Sequence, residues 1–98
     1  MRDDVYANPA GHGLLLDVQS DILSGLGTRV VVPLLPPSES PAPIGGLNPT
    51  FEIAGQRYVM ATSLLSAITA RELAAPIASL RQHSATIMNA LDFLLTGY

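Results

Sequence analysis

The segment LLLDVQSD, residues 14–21, alternates between apolar and polar side chains once the chain has passed Leu15. A period of two is typical of a β-strand, because successive side chains point to opposite faces. Leu16 and Val18 then share one face, and Asp17 and Gln19 share the other. We therefore predict a half-buried strand.

A second strand is predicted after a short turn. The residues SGLG at 24–27 are turn formers, and TRVVV at 28–32 is dominated by β-branched valine. Pro33 cannot donate a hydrogen bond to a sheet ladder. We expect it to mark the end of this strand or an edge position.

Proline dominates the next segment. Six of the eight prolines lie between residues 33 and 49, together with two serines and two glycines. Proline restricts its own φ and the backbone of the residue before it. We predict a surface loop, with a proline-rich peptide ligand as the alternative.

A β-hairpin is predicted from FEIA (51–54) and RYVMA (57–61), joined by Gly55-Gln56. Glycine at the first central position is what a two-residue type II′ turn requires. Leu64, Leu65 and Ile68 indicate a further short strand.

A C-terminal helix is predicted from Pro76 onward, because proline suits the first turn of a helix. Apolar side chains then recur at steps of three and four, from Ile77 and Leu80 to Leu91 and Leu94. A second, less uniform apolar stripe lies beside the first and predicts two neighbours for the helix: its own sheet and another molecule. Gly97 is a natural terminator.

Composition limits the possible functions. At 98 residues the chain is one domain, residues 1–98, with a thin core that dimerisation would help to stabilise. It is 48% hydrophobic but only 13% charged, which leaves surface for an interface. The net charge of −3 and the scattered arginines argue against a direct nucleic-acid binder.

The chain has no cysteine, so thiolate sites and disulfides are excluded. Neither a secretory signal nor a membrane-spanning segment is evident, and we expect a cytoplasmic protein.

Candidate catalytic groups are sparse. His12 and His83 are the only histidines, and a trio of His12, Ser20 and Asp21 lacks an oxyanion-hole motif. A ribonuclease toxin remains an alternative, with Arg29, Arg57 or Arg71 holding phosphate and His83 moving protons. We expect no catalytic residues, no metal and no cofactor, and therefore no enzyme.

The chain resembles the CcdB-type plasmid-maintenance toxins, which poison DNA gyrase. The resemblance is carried by LDVQSDI (16–22), RVVVPL (29–34), RYVMAT (57–62), Asn89-Ala90 and the closing Gly97. It implies an α+β, mainly β fold: an SH3-like barrel-type antiparallel sheet with a small three-stranded sheet and one C-terminal α-helix.

The resemblance also implies partners. The toxin would be a homodimer that binds the gyrase A subunit and traps the cleaved DNA complex, and an antitoxin with a disordered tail would neutralise it. Position by position, the gyrase-binding set would be Ser20, Ile22, Leu23, Asp92, Leu95, Thr96, Gly97 and Tyr98. We expect the dimer interface to include Ile87, Met88, Leu91, Leu94 and Leu95.

Two positions depart from the family pattern. The family has tryptophan where this chain has Thr96, and a smaller aliphatic residue where it has Tyr98. Losing an aromatic interface residue typically costs about 2 kcal/mol or more, although the Tyr98 ring could restore part of the contact. The alternative is a dimeric antitoxin-binding protein of the same fold that has lost or changed its gyrase target.

Overall fold

The computed structural model describes residues 1–40 and 42–97, which form one antiparallel sheet and one α-helix. The strands are β1 (Asp4–Ala7), β2 (Leu14–Asp17), β3 (Thr28–Leu35), β4 (Thr50–Ile53), β5 (Gln56–Met60), β6 (Ser66–Thr69) and β7 (Ala78–Ser79). The helix α1 spans Ser84–Thr96. Short 3-10 turns lie at Asp21–Leu23, Pro37–Glu39, Thr62–Leu64, Ala70–Glu72 and Arg81–His83.

The long strand β3 organises the sheet. The strand order is β4-β5-β3-β2-β1-β7, and β6 pairs with the first half of β3, from Thr28 to Val31. The last two residues of β3 pair with β5 instead. The sheet is therefore nearly closed into a barrel, and the end of β3 forms a small three-stranded part with β4 and β5. The predicted fold class is confirmed.

Pro33 lies inside β3, so the prediction of a strand end there is wrong. It sits opposite Leu15 of β2, and its carbonyl accepts a hydrogen bond of 2.9 Å from the Ala61 N–H. A strand residue directs its N and its carbonyl to the same side. The missing N–H of Pro33 thus lies on the side of Ala61, and the Ala61 carbonyl accepts instead from the Leu64 N–H at 2.9 Å, so it is not left unpaired.

The hairpin of β4 and β5 forms as predicted, but its turn is shifted by one residue. Ile53 pairs with Gln56, so the two central residues are Ala54 and Gly55. Their φ angles are 52° and 80°. Positive φ at both positions defines a type I′ turn, not the predicted type II′.

The helix begins eight residues later than predicted. The Ile77 N–H donates to the Val5 carbonyl and the Leu80 N–H donates to the Asp3 carbonyl, both at 2.8 Å, so this segment joins the sheet as β7. Pairing with β1 prevails over the helical spacing of the apolar residues. The predicted strand near Leu64 and Ile68 is observed as β6, which begins only at Ser66.

The main core lies between one face of the sheet and α1. Its members are buried apolar side chains from all parts of the chain: Val5, Leu16, Val32, Leu34, Phe51, Ile53, Met60, Leu80, Ile87, Ala90 and Leu91. Burial of this apolar surface is the chief stabilising term of the fold. Ile87, Ala90 and Leu91 join α1 to this core, which determines what the exposed face of the helix can meet.

Candidate functional site

A shallow apolar hollow lies between the loop after β2 and the exposed face of α1. Its volume is about 360 Å³. Four residues of the predicted gyrase-binding set line it: Ser20 and Leu23 from the loop, and Asp92 and Leu95 from the helix. The remaining wall residues are Arg2, Val18, Gln19, Val30, Leu65, Met88 and Leu91. Two segments some seventy residues apart in sequence therefore meet at one surface.

The loop arm of this site, defined as Ser20–Leu23, is a single 3-10 turn. The Ser20 Oγ accepts from the Ile22 N–H at 3.3 Å, and the Ser20 carbonyl accepts from the Leu23 N–H at 3.0 Å. Ile22 is 92% exposed. An aliphatic side chain this exposed stabilises nothing in its own chain, so Ile22 is free to contact a partner.

The helix arm, defined as residues 88–97, carries the other half of the site. Leu95 is 72% exposed, next to Asp92 on the wall of the hollow. Gly97 ends the helix as predicted, with φ 82° and its N–H donating to the Phe93 carbonyl at 3.0 Å. Left-handed φ is the usual end of a helix at glycine.

Thr96 does not line the hollow. Its hydroxyl donates to the Asp92 carbonyl one turn back, at 2.7 Å. The side chain is thereby held against its own helix, and this hydroxyl proton is not offered to a partner. Tyr98 lies outside the described residues.

The residues predicted for a dimer interface separate into two groups. Ile87 and Leu91 are buried in the core of their own chain, whereas Met88 and Leu95 are exposed and Leu94 is half-buried. Only the last three therefore have side-chain surface left for a second copy. The interface itself stays a prediction.

A buried ion pair supports the loop arm, and the sequence interpretation missed it. Asp17 was expected on the open face of a half-buried strand, but it is 0% exposed. Its Oδ2 accepts from the Arg29 Nη2 at 2.6 Å and from the Arg29 Nε at 3.0 Å. Two charge-assisted bonds of this kind make the burial of the carboxylate tolerable. The only signal in the sequence was one acid and one base on neighbouring predicted strands.

A second acid lies beside this pair. Asp3 is buried, one of its carboxyl oxygens has no hydrogen-bond partner among the described residues, and burial raises the pKa of the carboxyl. Arg2 and Arg81 act in the opposite direction, while Asp21 and Asp17 raise the pKa further. Burial also raises the pKa of Tyr6.

The candidate catalytic groups do not converge. The His12 Nε2 contacts the Glu39 carboxylate in the 33–49 loop, and the His83 ring packs against Phe51 with centroids 5.2 Å apart. Ser20 is engaged with its own turn. Among residues 1–40 and 42–97, no group of three His, Asp or Glu side chains could hold a metal ion.

The family model described as CcdB protein matches residues 2–97 of this chain. No curated protein matches. Within the part of the chain that the structure describes, no helix has both the length and the apolar character needed to cross a membrane.

Proposed function

The chain belongs to the CcdB family and is thus a toxin of the toxin–antitoxin type, and from this premise we propose that it inhibits DNA gyrase by contact. The loop arm and the helix arm would together bind the gyrase A subunit and trap the complex in which DNA is cut. No bond is made or broken by the toxin in this proposal, so the protein is not an enzyme.

One observation carries the proposal: the loop arm and the helix arm meet around the same apolar hollow, and both present aliphatic side chains to solvent. Ile22 is 92% exposed, Leu95 is 72% exposed and Leu23 is 48% exposed. Exposed apolar residues grouped at one place mark a protein-binding surface. The net charge of −3 favours a protein partner over DNA.

Two further partners belong to the proposal. A second copy of the chain would form a two-fold dimer, so that equivalent sites face the two A subunits of gyrase. Met88, Leu94 and Leu95 supply exposed or half-exposed apolar surface for such a dimer. A cognate antitoxin with a disordered tail would wrap the toxin and neutralise it.

Purified gyrase and supercoiled plasmid DNA test the proposal directly. The wild-type chain should accumulate cleaved DNA–gyrase complex, and Ile22→Asp and Leu95→Asp should each abolish the accumulation by placing a charge at the contact. Because both residues are exposed, the variants should keep the wild-type Tm.

The matched control is Ile77→Asp, which places the same charge at an exposed isoleucine away from the hollow. This variant should still poison gyrase. Poisoning by both site variants, or none by the wild type, would overturn the proposal.

Thr96 favours a second candidate, an antitoxin-binding protein of the same fold with a lost or changed gyrase target. The resemblance places tryptophan at this position, and here the Thr96 hydroxyl is bonded to the Asp92 carbonyl at 2.7 Å. Introducing a large interface side chain can gain about 2 kcal/mol, more than tenfold in affinity.

The variant Thr96→Trp decides between the two candidates. If the gyrase target is lost, wild type should show no poisoning, whereas Thr96→Trp should restore it and both should bind the antitoxin. If the gyrase target is retained, wild type should already be active. Thr69→Trp, at an exposed threonine in β6, is the control for adding an indole elsewhere.

A further inference from the structure

Gln19 makes three hydrogen bonds at the place where the chain leaves the sheet and enters the loop arm. Its Nε2 donates to the Leu23 carbonyl at 3.0 Å, and its Oε1 accepts from the Val30 N–H at 3.1 Å. Its own N–H donates to the Asp17 Oδ1 at 3.0 Å. The side chain thus joins the end of the loop arm to the start of β3.

The Gln19 side-chain amide replaces one backbone hydrogen-bond partner in the ladder between β2 and β3. Regular pairing of β2 with β3 ends at Asp17, and the next rung is the Val18 N–H donating to the Val30 carbonyl at 3.0 Å. The Val30 N–H then donates to the Gln19 Oε1 instead of to a backbone carbonyl. The main chain is therefore free to turn outward without leaving a buried donor unpaired, which would be costly.

The loop arm has little else to hold it. None of the residues in its 3-10 turn, Asp21–Leu23, is buried, so apolar packing does not fix its position. The other tether to the rest of the chain is the Arg2 N–H donating to the Asp21 Oδ1 at 2.8 Å, and this bond is exposed. Water competes with an exposed hydrogen bond, whereas the Gln19 side chain is shielded at 6% exposure.

The ion pair fixes Gln19 in turn. Asp17 uses its Oδ2 for both Arg29 nitrogens, which leaves the Oδ1 to accept from the Gln19 N–H. A carboxylate held on both oxygens cannot rotate. The backbone of Gln19 is thereby anchored to Asp17, and from this position its amide reaches both Leu23 and Val30.

We propose that Gln19 is a positioning residue, which holds Ile22 and Leu23 at the edge of the hollow for the partner. The inference rests on the proposed function, since it assigns how that site is preorganised. A binding surface that is already ordered loses less conformational entropy on association. Releasing the loop arm should weaken gyrase binding without altering any residue of the Ile22–Leu23 contact.

The test compares Gln19→Met with Gln82→Met, an exposed glutamine in the turn before α1. Methionine keeps the length of the side chain and removes both amide bonds. In Gln19→Met the methyl NMR signals of Ile22 and Leu23 should show the increased mobility of a released loop. The methyl signals of Ile87 in the core should stay unchanged. Affinity for the purified gyrase A subunit should fall about tenfold, the equivalent of one lost buried hydrogen bond. Gln82→Met should change neither.

A second variant separates the two amide bonds. Gln19→Glu keeps an acceptor for the Val30 N–H and loses the donor to the Leu23 carbonyl. It should therefore mobilise Ile22 and Leu23 while the Val30 amide remains protected from hydrogen exchange. In Gln19→Met that protection should also be lost.

Two results would overturn the inference. One is that the Ile22 and Leu23 signals are unchanged in both Gln19 variants. The other is that both variants unfold globally, because Gln19 would then have a structural role in the whole fold and no specific role in positioning the loop arm. A wild-type chain that does not bind the gyrase A subunit would overturn the proposed function instead. The methyl signals would still decide whether Gln19 positions the loop arm.

Discussion

The two arms of the site are held in place by different physics. The helix arm is fixed by apolar packing, because Ile87, Ala90 and Leu91 of α1 are buried in the core. The loop arm has no buried residue in its turn and is fixed by hydrogen bonds that lead through Gln19 to Asp17.

The difference shows how exposed apolar side chains can be kept in place without being buried themselves. Packing is non-directional, so the helix arm tolerates a change of shape and loses stability in proportion to the area lost. Hydrogen bonds are directional, and removing one partner leaves the other buried and unpaired. We therefore expect that the loop arm can become disordered while the fold remains intact. The helix arm should lose its position only when the fold as a whole is destabilised.

The largest effect is expected from Arg29→Met, which breaks the polar support. It removes the two short bonds from the guanidinium to the fully buried Asp17 carboxylate and leaves the Met1 ammonium, 3.2 Å from Oδ2, as the remaining cation. Breaking a buried ion pair typically costs about 3–5 kcal/mol in the free energy of unfolding. Urea unfolding measures the loss. Arg71→Met, at an exposed arginine, should cost less than about 0.5 kcal/mol. Equal losses in the two variants would mean that the ion pair does not support this region.

A smaller effect is expected from Ile87→Ala, which weakens the apolar support. Removing three buried carbons from a side chain that is 1% exposed should cost about 3 kcal/mol. Exposed Ile77→Ala is the matched control and should be nearly neutral. Methyl signals in the destabilised variant should broaden at Leu95 before they change at Ile22. Simultaneous broadening at both residues would show that the two arms are not held independently.

The smallest effect concerns pH and sharpens the comparison, because Asp3, a buried acid with a raised pKa, lies beside the polar support of the loop arm. Burial raises the pKa of Asp3 above its ordinary value of 3.8. A carboxyl with a raised pKa in the folded state adds stability at low pH and loses this contribution as the pH rises through the folded-state pKa. The free energy of unfolding of the wild type should therefore increase relative to that of Asp3→Asn as the pH falls towards 3.8.

Asparagine is the appropriate replacement, because Asp3 has φ 72° and asparagine tolerates a left-handed backbone. The variant also keeps the backbone bond from the residue 3 N–H to the Asp17 carbonyl, which is 2.7 Å in wild type. Urea midpoints across the acidic range give the comparison. If the difference in urea midpoint between wild type and Asp3→Asn does not vary with pH, the raised pKa is wrongly assigned to Asp3.

The strands β2 and β3, the hairpin of β4 and β5, and the helix could be predicted because their signals are local. Alternation in 14–21, valines in 28–32 and helical spacing up to Leu91 each depend on neighbours in the sequence. The errors arose where a distant strand prevailed: β1 draws residues 78–79 into the sheet, and β5 and β6 leave a gap that accommodates Pro33 inside a strand. The type I′ turn was missed because it places Ala54 at positive φ, which alanine rarely adopts.

The chain alone determined which side chains are apolar, where the backbone must turn and where α1 stops, since these follow from residue type and spacing. It also supplied the site residues Ser20, Leu23, Asp92 and Leu95 through a resemblance. Only the tertiary structure decided that these four share one hollow and that Asp17, on the polar side of an alternating strand, is buried against Arg29. The reason is that a buried charge is stable only with its partner, and the partner is brought to it by the pairing of β2 with β3.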